Sequence, residues 1–227
     1  VDFEDGTTAC VLAADVSVRS RATIDDALAK SILPPRKPDG NKSDNGRAAI
    51  IAGSPKMPGA ALMCTKACIR AGAGLTKVLI PKEIIPSFSA VPEAMLETDD
   101  GNADDLIRWA DALLIGCGMG VETRTAELLK RVLASRKPCV IDADALNTMA
   151  REPVLLELLH DNAVITPHPA EMARLCGCTT DEVLKNFSGK AIDFALRYGC
   201  TVLLKSASSC LLNLFPRSSD PKIRSVI

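Results

Sequence analysis

Lys205 closes the apolar run TVLLK and is followed by Ser206, Ala207, Ser208 and Ser209. An ammonium at the end of a buried strand is costly unless it reaches water or an anion, and small hydroxyl neighbours suit phosphate or ribose oxygens. A lysine that snorkels to solvent is the bland alternative. Asp142 and Asp144 stand two residues apart where PCVID runs into ADALN. Such a pair can order a magnesium–water shell, bond a ribose hydroxyl or cap the helix that begins near Ala145. Capping is assigned to Asp144, which leaves Asp142 and Asn147 for function. His168 is set between Pro167 and Pro169, which fix its backbone at little entropic cost, as a ligand-facing side chain requires. His160, at the end of LLELLH, reads as a surface residue favoured by a helix C-terminus, and Glu171 as a carboxylate favoured by a helix N-terminus.

Two stretches offer backbone rather than side chains. In GSPKMPGAA (53–61), Gly53 and Ser54 allow a tight turn, Pro58 suits the first helical position, and Gly59, Ala60 and Ala61 let a ligand come close. A helix N-terminus there presents N–H groups and a positive dipole end to a phosphate, with a plain turn as the competing reading. GCGMG carries Gly116, Gly118 and Gly120 in alternation. Three missing side chains at one strand end make sense where backbone touches a ligand, and a flexible loop is the alternative. Neither stretch is GxGxxG or a loop ending in Gly-Lys-Ser/Thr.

The elements that must position these residues follow from periodicity. Short apolar runs at 48–52, 75–80, 112–116, 138–142, 163–166 and 201–205 have the length of buried strands. Helical spacing marks 58–72, 103–110, 122–135, 153–160, 169–176 and 188–198 between them. One helix per strand predicts an α/β fold: a doubly wound, mostly parallel sheet with helices on both faces. SCLLNLF (209–215) follows too soon for a crossover helix, so it predicts an edge hairpin with 201–205. In such a sheet the parallel strands end on one edge, where ligands bind. Five glycine-rich or polar strand ends gathered there make a nucleotide or phosphorylated-metabolite site the economical reading.

Composition narrows the class. The 227 residues carry 27 basic and 28 acidic side chains, so no general field draws the chain to nucleic acid or anionic lipid. No apolar run approaches membrane-spanning length, and the N-terminus is acidic rather than export-like. Nine cysteines, an odd number set mostly in apolar runs, read as small core residues in a reducing cytoplasm. The pairs Cys64/Cys68 and Cys176/Cys178 lack a second ligand pair at zinc-site spacing, so no metal site is expected. Residues 1–30 read as an appendage or linker. The proline- and glycine-broken segment 31–46 leads into the domain, which is assigned to 31–227.

The ordered segments GSPKMPGAA, IRAGAGLTKVLIP, VPEAM, LLIGCGMG, VIDADALN, ITPHPAE and LLKSASS resemble the ADP/ATP-dependent NAD(P)H-hydrate dehydratases of the ribokinase-like superfamily, over roughly residues 30–212. The resemblance implies a chemistry. ATP or ADP phosphorylates the hydroxyl of hydrated NADH or NADPH, and elimination of phosphate, pushed by the ring nitrogen, restores the nicotinamide. It implies hydrated NADH or NADPH and an adenine nucleotide as partners, Mg2+ on the triphosphate and, as in many members, an upstream epimerase domain of which residues 1–30 would be the remnant or the linker; a homo-oligomer is also expected. Carried over by motif, Ala60, Gly118, Gly120, Asp142, Asn147 and His168 would serve the hydrate. Lys205, Ser206, Ala207, Ser208 and Ser209 would line the nucleotide site.

The chain departs from the family's pattern at several points. Asn41-Lys42-Ser43 replaces His-Lys-Gly, PHPAE replaces PHPGE, and Ser206 stands where a glycine is usual, which is expected to obstruct nucleotide approach. The family's late glycine-rich loop, with its catalytic aspartate, is expected beyond residue 215, yet no glycine follows Gly199. Residues 1–227 alone are therefore expected to be inert and to expose apolar surface. A small-molecule kinase of the same superfamily and a non-catalytic nucleotide-binding homologue are the alternative functions.

Overall fold

The apolar runs become strands because each alternates its side chains between two faces that helices bury, and a parallel sheet needs both faces covered. A computed structural model describes residue 30 and residues 39–98, 100–206 and 209–212. From residue 39 onward these belong to one compact unit. The elements in order are β1 (Arg47–Ile51), α1 (Pro58–Ala71), β2 (Leu75–Leu79), β3 (Met95–Glu97), α2 (Ala103–Trp109), β4 (Ala112–Ile115) and α3 (Thr123–Ala134). There follow β5 (Cys139–Ile141), α4 (Asp144–Arg151), β6 (Ala163–Ile165), α5 (Pro169–Cys176), α6 (Thr180–Lys185), α7 (Phe187–Tyr198), β7 (Thr201–Leu204) and β8 (Cys210–Leu212).

The strands form one sheet in the order β3-β2-β1-β4-β5-β6-β7-β8. β1 to β7 are parallel, and β8 returns antiparallel on β7 as the hairpin the short connection predicts. After β1 the chain steps outward to β2 and β3, then returns to place β4 on the other side of β1. The order therefore reverses between β1 and β4, which is where open α/β sheets bind ligands.

Register aligns Ile51, Ile115, Ile141, Ile165 and Val202 in one row across β1, β4, β5, β6 and β7. All five are fully buried, in the larger core cluster with Leu129, Leu133, Leu146 and Met149. The opposite face is covered unevenly. Ile50 and Val78 pack with Ala61 of α1 and with Ile84 and Phe88 of the 3-10 helix Lys82–Ala90, whereas Val140 and Val164 stay half-buried.

Some details differ from the sequence reading. Segment 153–160 is a 3-10 helix over Pro153–Leu158 rather than an α-helix. β3 and α6 were not expected, and residues Lys42–Asn45 of the segment read as irregular form a 3-10 turn capped by Asn41. His160 is buried, 3% exposed, with no hydrogen-bond partner for either ring nitrogen among the described residues. It is not a surface residue, because the turn after Leu158 folds inward. Among the described residues no helix is long and apolar enough to cross a membrane. The appendage 1–30 except Lys30, the segment 31–38, Ala207, Ser208 and everything beyond Leu212 lie outside the described residues.

Two stability outcomes follow. Ile141→Ala leaves a cavity in the fully buried row and is expected to cost about 2–5 kcal/mol in chemical denaturation, with Val140→Ala costing distinctly less. Burial, with help from the Arg136 charge, pushes the His160 imidazole below its ordinary 6.5. The unfolded chain then takes up a proton that the folded chain resists. Stability is expected to decline as pH falls below about 6.5, and His160→Leu should flatten that part of the profile.

Candidate active site

The site is assembled where β1 and β4 part. Gly53 N–H, just past β1, donates to the Cys117 carbonyl at 2.8 Å, which ties the two glycine-bearing turns together. Gly116, Gly118 and Gly120 all have positive φ, and the first two are also sterically required. A Cβ on Gly116 would collide with the Asp142 carbonyl and sit 2.6 Å from Ala145 Cβ, and one on Gly118 would lie 2.6 Å from Ala60 Cβ. Gly118 thus packs directly on the first turn of α1, which begins at Pro58 without a side-chain cap.

Beyond β5, Asp142 N–H donates to the Ile115 carbonyl and Asp144 N–H to the Gly116 carbonyl. Ala143 between them has φ 52°, an unusual conformation for a residue with a side chain. The two carboxylates then do different work. Asp142 Oδ1 accepts from Lys205 Nζ at 2.7 Å and from Ala143 N–H at 2.8 Å. Asp144 is not the helix cap assigned from the sequence. The positive-φ turn places Ala143 at the cap position without a side-chain bond and frees Asp144 Oδ2 to accept Gly120 N–H at 2.8 Å. Asn147, one turn on, accepts from Arg174 of α5 at 2.8 Å.

His168 caps α5. Its Nδ1 accepts the N–H groups of Ala170 and Glu171 at 3.2 and 3.3 Å, and its own N–H donates to Glu171 Oε2 at 2.8 Å. The ring remains about half exposed while Glu171 is buried, so the capping box fixes an imidazole that still reaches solvent. Glu171 therefore does more than answer the helix dipole. Lys205 N–H donates to the Pro167 carbonyl, which holds the end of β7 beside the His168 turn. Next to it, the Ser209 hydroxyl accepts from Ser206 N–H and donates to the Ser206 carbonyl, both at 3.3 Å.

The sequence reading missed one pair. Cys64 of α1 and Cys117 pack against the same apolar cluster and interact, which lowers the Cys64 thiol and raises that of Cys117. Both are half-buried free thiols. Their separation in sequence, 64 to 117, hides the contact from any spacing rule.

The NAD(P)H-hydrate dehydratase family profile (Carb_kinase) matches residues 48–214. The bifunctional NAD(P)H-hydrate repair enzyme of Escherichia coli is 41% identical over 179 residues, covering 78% of this chain and 34% of the relative. This chain thus spans about a third of the length of such curated relatives. The ADP/ATP-dependent NAD(P)H-hydrate dehydratase of Bacillus subtilis, co-crystallised with ATP and Mg2+, superposes with a TM-score of 0.72 at 26% identity, over 83% of this chain and 68% of that one. A ribokinase-like superfamily protein of Enterococcus faecalis gives a TM-score of 0.69 at 29% identity, over 79% and 64%. The profile covers most of the chain and the structure superposes on ribokinase-like proteins: this chain belongs to the NAD(P)H-hydrate dehydratase family and has its ribokinase-like fold.

Proposed function

We propose that this chain carries the ADP/ATP-dependent dehydration of hydrated NADH and NADPH. The observation that carries the reading is the meeting of Lys205 and Asp142 across the carboxyl edge, beside the Gly116–Gly120 turn, in a chain with this family's profile. In the reaction, the hydrate's hydroxyl oxygen attacks the terminal phosphoryl group of the nucleotide, the bond from that phosphorus to its bridging oxygen breaks to release ADP from ATP or AMP from ADP, and the hydroxyl proton passes to solvent. The ring nitrogen lone pair then expels phosphate, and loss of a ring proton restores the dihydronicotinamide.

The residue roles divide the edge. Ala60, Gly118 and Gly120 form the close-approach wall for the hydrate, with Asp142, Asn147 and His168 as its polar contacts. Lys205, Ser206, Ala207, Ser208 and Ser209 are assigned to the nucleotide, where the Lys205 ammonium would meet phosphoryl charge. Magnesium enters on the nucleotide's phosphates. Among the described residues no three His, Cys, Asp or Glu side chains group as a metal cage, and Asp142 is committed to Lys205. No step is routed through a protein-held metal. A cytoplasmic setting fits the free thiols of Cys64, Cys68, Cys117, Cys139, Cys176, Cys178 and Cys200, and a homo-oligomer remains part of the reading, as does the absence of a nucleic-acid partner for a nearly neutral chain.

The decisive test incubates the protein in its full open reading frame with hydrated NADH, ADP or ATP, and magnesium. Recovery of reduced-nicotinamide absorbance is expected. No recovery, with phosphorylation of an unrelated alcohol, would move the chain to the small-molecule kinases. Nucleotide binding without turnover of either kind would make it a binding homologue. Lys205→Met is expected to lower nucleotide-dependent turnover about 10²–10³-fold, while the half-exposed ion pair it breaks contributes at most about 1 kcal/mol to folding. Gly118→Ala forces a Cβ against Ala60 in a left-handed conformation and is expected to raise KM for the hydrate about tenfold, with nucleotide affinity unchanged.

A further inference from the structure

A cavity of about 510 Å³ opens beside the glycine turn, lined by Val121, Asn147, Ala150, Arg151 and Arg174. Asn147, Ala150 and Arg151 fall at i, i+3 and i+4 on α4, so they share one face of that helix. Arg174 reaches the same space from α5, held by its Nη1 bond to Asn147 Oδ1 at 2.8 Å. A neutral amide orients this guanidinium without neutralising it. Arg151 makes no ion pair among the described residues, and Arg174 makes none either. Of the carboxylates nearby, Asp144 accepts Gly120 N–H and Glu171 accepts His168 N–H, while Glu122 and Glu152 stand next in sequence to Val121 and Arg151 and none is in an ion pair with either arginine.

Each arginine lies in the last turn of its helix, where a cation is favoured anyway. That preference does not explain why two from different helices converge on one cavity with an amide and a small alanine between them. Guanidinium groups so placed suit the oxygens of a phosphate better than any neutral ligand. Val121 directly follows Gly120, so the cavity adjoins the wall assigned to the hydrate. A dinucleotide whose nicotinamide end occupied the crevice would carry its other phosphates outward.

We propose that Arg151 and Arg174 form a phosphate clamp for the dinucleotide substrate, in the groove between α4 and α5, apart from the phosphoryl-transfer nucleotide. The inference rests on the hydrate-dehydratase reading for the identity of the ligand, and on the cavity for its place. The clamp takes either the bridging pyrophosphate, common to both coenzymes, or the 2′-phosphate found only in the NADP series.

The test titrates NADP+ and NAD+ calorimetrically into ADP-saturated protein, comparing wild type with Arg151→Gln/Arg174→Gln. Loss of about tenfold in affinity per guanidinium is expected for NADP+, with ADP binding unchanged. Equal loss for NAD+ assigns the pyrophosphate, and loss confined to NADP+ assigns the 2′-phosphate. Arg151→Lys/Arg174→Lys keeps the charge and is expected to recover part of the affinity, which a folding defect would not allow. Unchanged NADP+ affinity in the glutamine variant overturns the clamp, as does a wild type that binds ADP but not NADP+. If wild type recovers no reduced nicotinamide from the hydrate and binds no ADP, yet the same titration without ADP shows NADP+ affinity lost on replacing the two arginines, the functional reading fails while the clamp stands.

Discussion

The carboxyl edge depends on the approach of β4 to the turn after β5. Gly116 lies so close to the Asp142 carbonyl and to Ala145 that no side chain fits between them. With that contact made, Asp142 N–H reaches Ile115, Asp144 N–H reaches Gly116, and Asp144 can turn back to hold Gly120. The glycine turn is therefore fixed at both ends, and a backbone wall that would otherwise be a flexible loop becomes a defined surface. The cost is the positive φ of Ala143, roughly 1–3 kcal/mol of strain for such a residue. The Asp142 and Asp144 N–H bonds to Ile115 and Gly116 flank that residue on both sides.

On this frame the Lys205–Asp142 pair is better understood as positioning than as stabilisation. The side chains are 39% and 24% exposed, so solvent screens much of the attraction. What the pair does is extend a flexible ammonium across the crevice and keep it there, with its backbone tied to Pro167. Under the proposed function, an arriving polyanion would meet a charge already aimed at it, with no side chain left to order at that moment.

The sheet was open to sequence reasoning because its signals are local: β-branched runs for β1, β4, β5, β6 and β7, Pro58 and Pro169 at helix starts, and glycines where turns demand them. β3 was hidden, since three residues with two side chains exposed give no apolar pattern, and its strand character comes from pairing with β2. α6 did carry a signal, the Thr179 to Glu182 capping box, which its six-residue length concealed. The fates of Asp144 and His160 were not legible. Both depend on backbone turns whose direction is set by distant packing, so a residue that looks like a cap or a surface cation becomes a loop anchor or a buried neutral ring. The Cys64–Cys117 contact is of the same kind, made by topology alone.

The departures from the family pattern can be weighed on the same physical grounds. Ala170 in place of glycine costs little, because its N–H still donates to His168 Nδ1 in an ordinary helical turn. Ser206 is different. Its N–H and carbonyl are both engaged by the Ser209 hydroxyl, so the turn after Lys205 satisfies itself internally and offers a ligand less free backbone than a glycine turn would. A nucleotide bound there would compete with Ser209 for the Ser206 N–H, a neutral and exposed bond worth roughly 0.5–1.5 kcal/mol. A charged phosphate oxygen makes the stronger acceptor. If a nucleotide binds there as proposed, the exchange would favour it, and the serine would alter affinity by a modest factor rather than close the site.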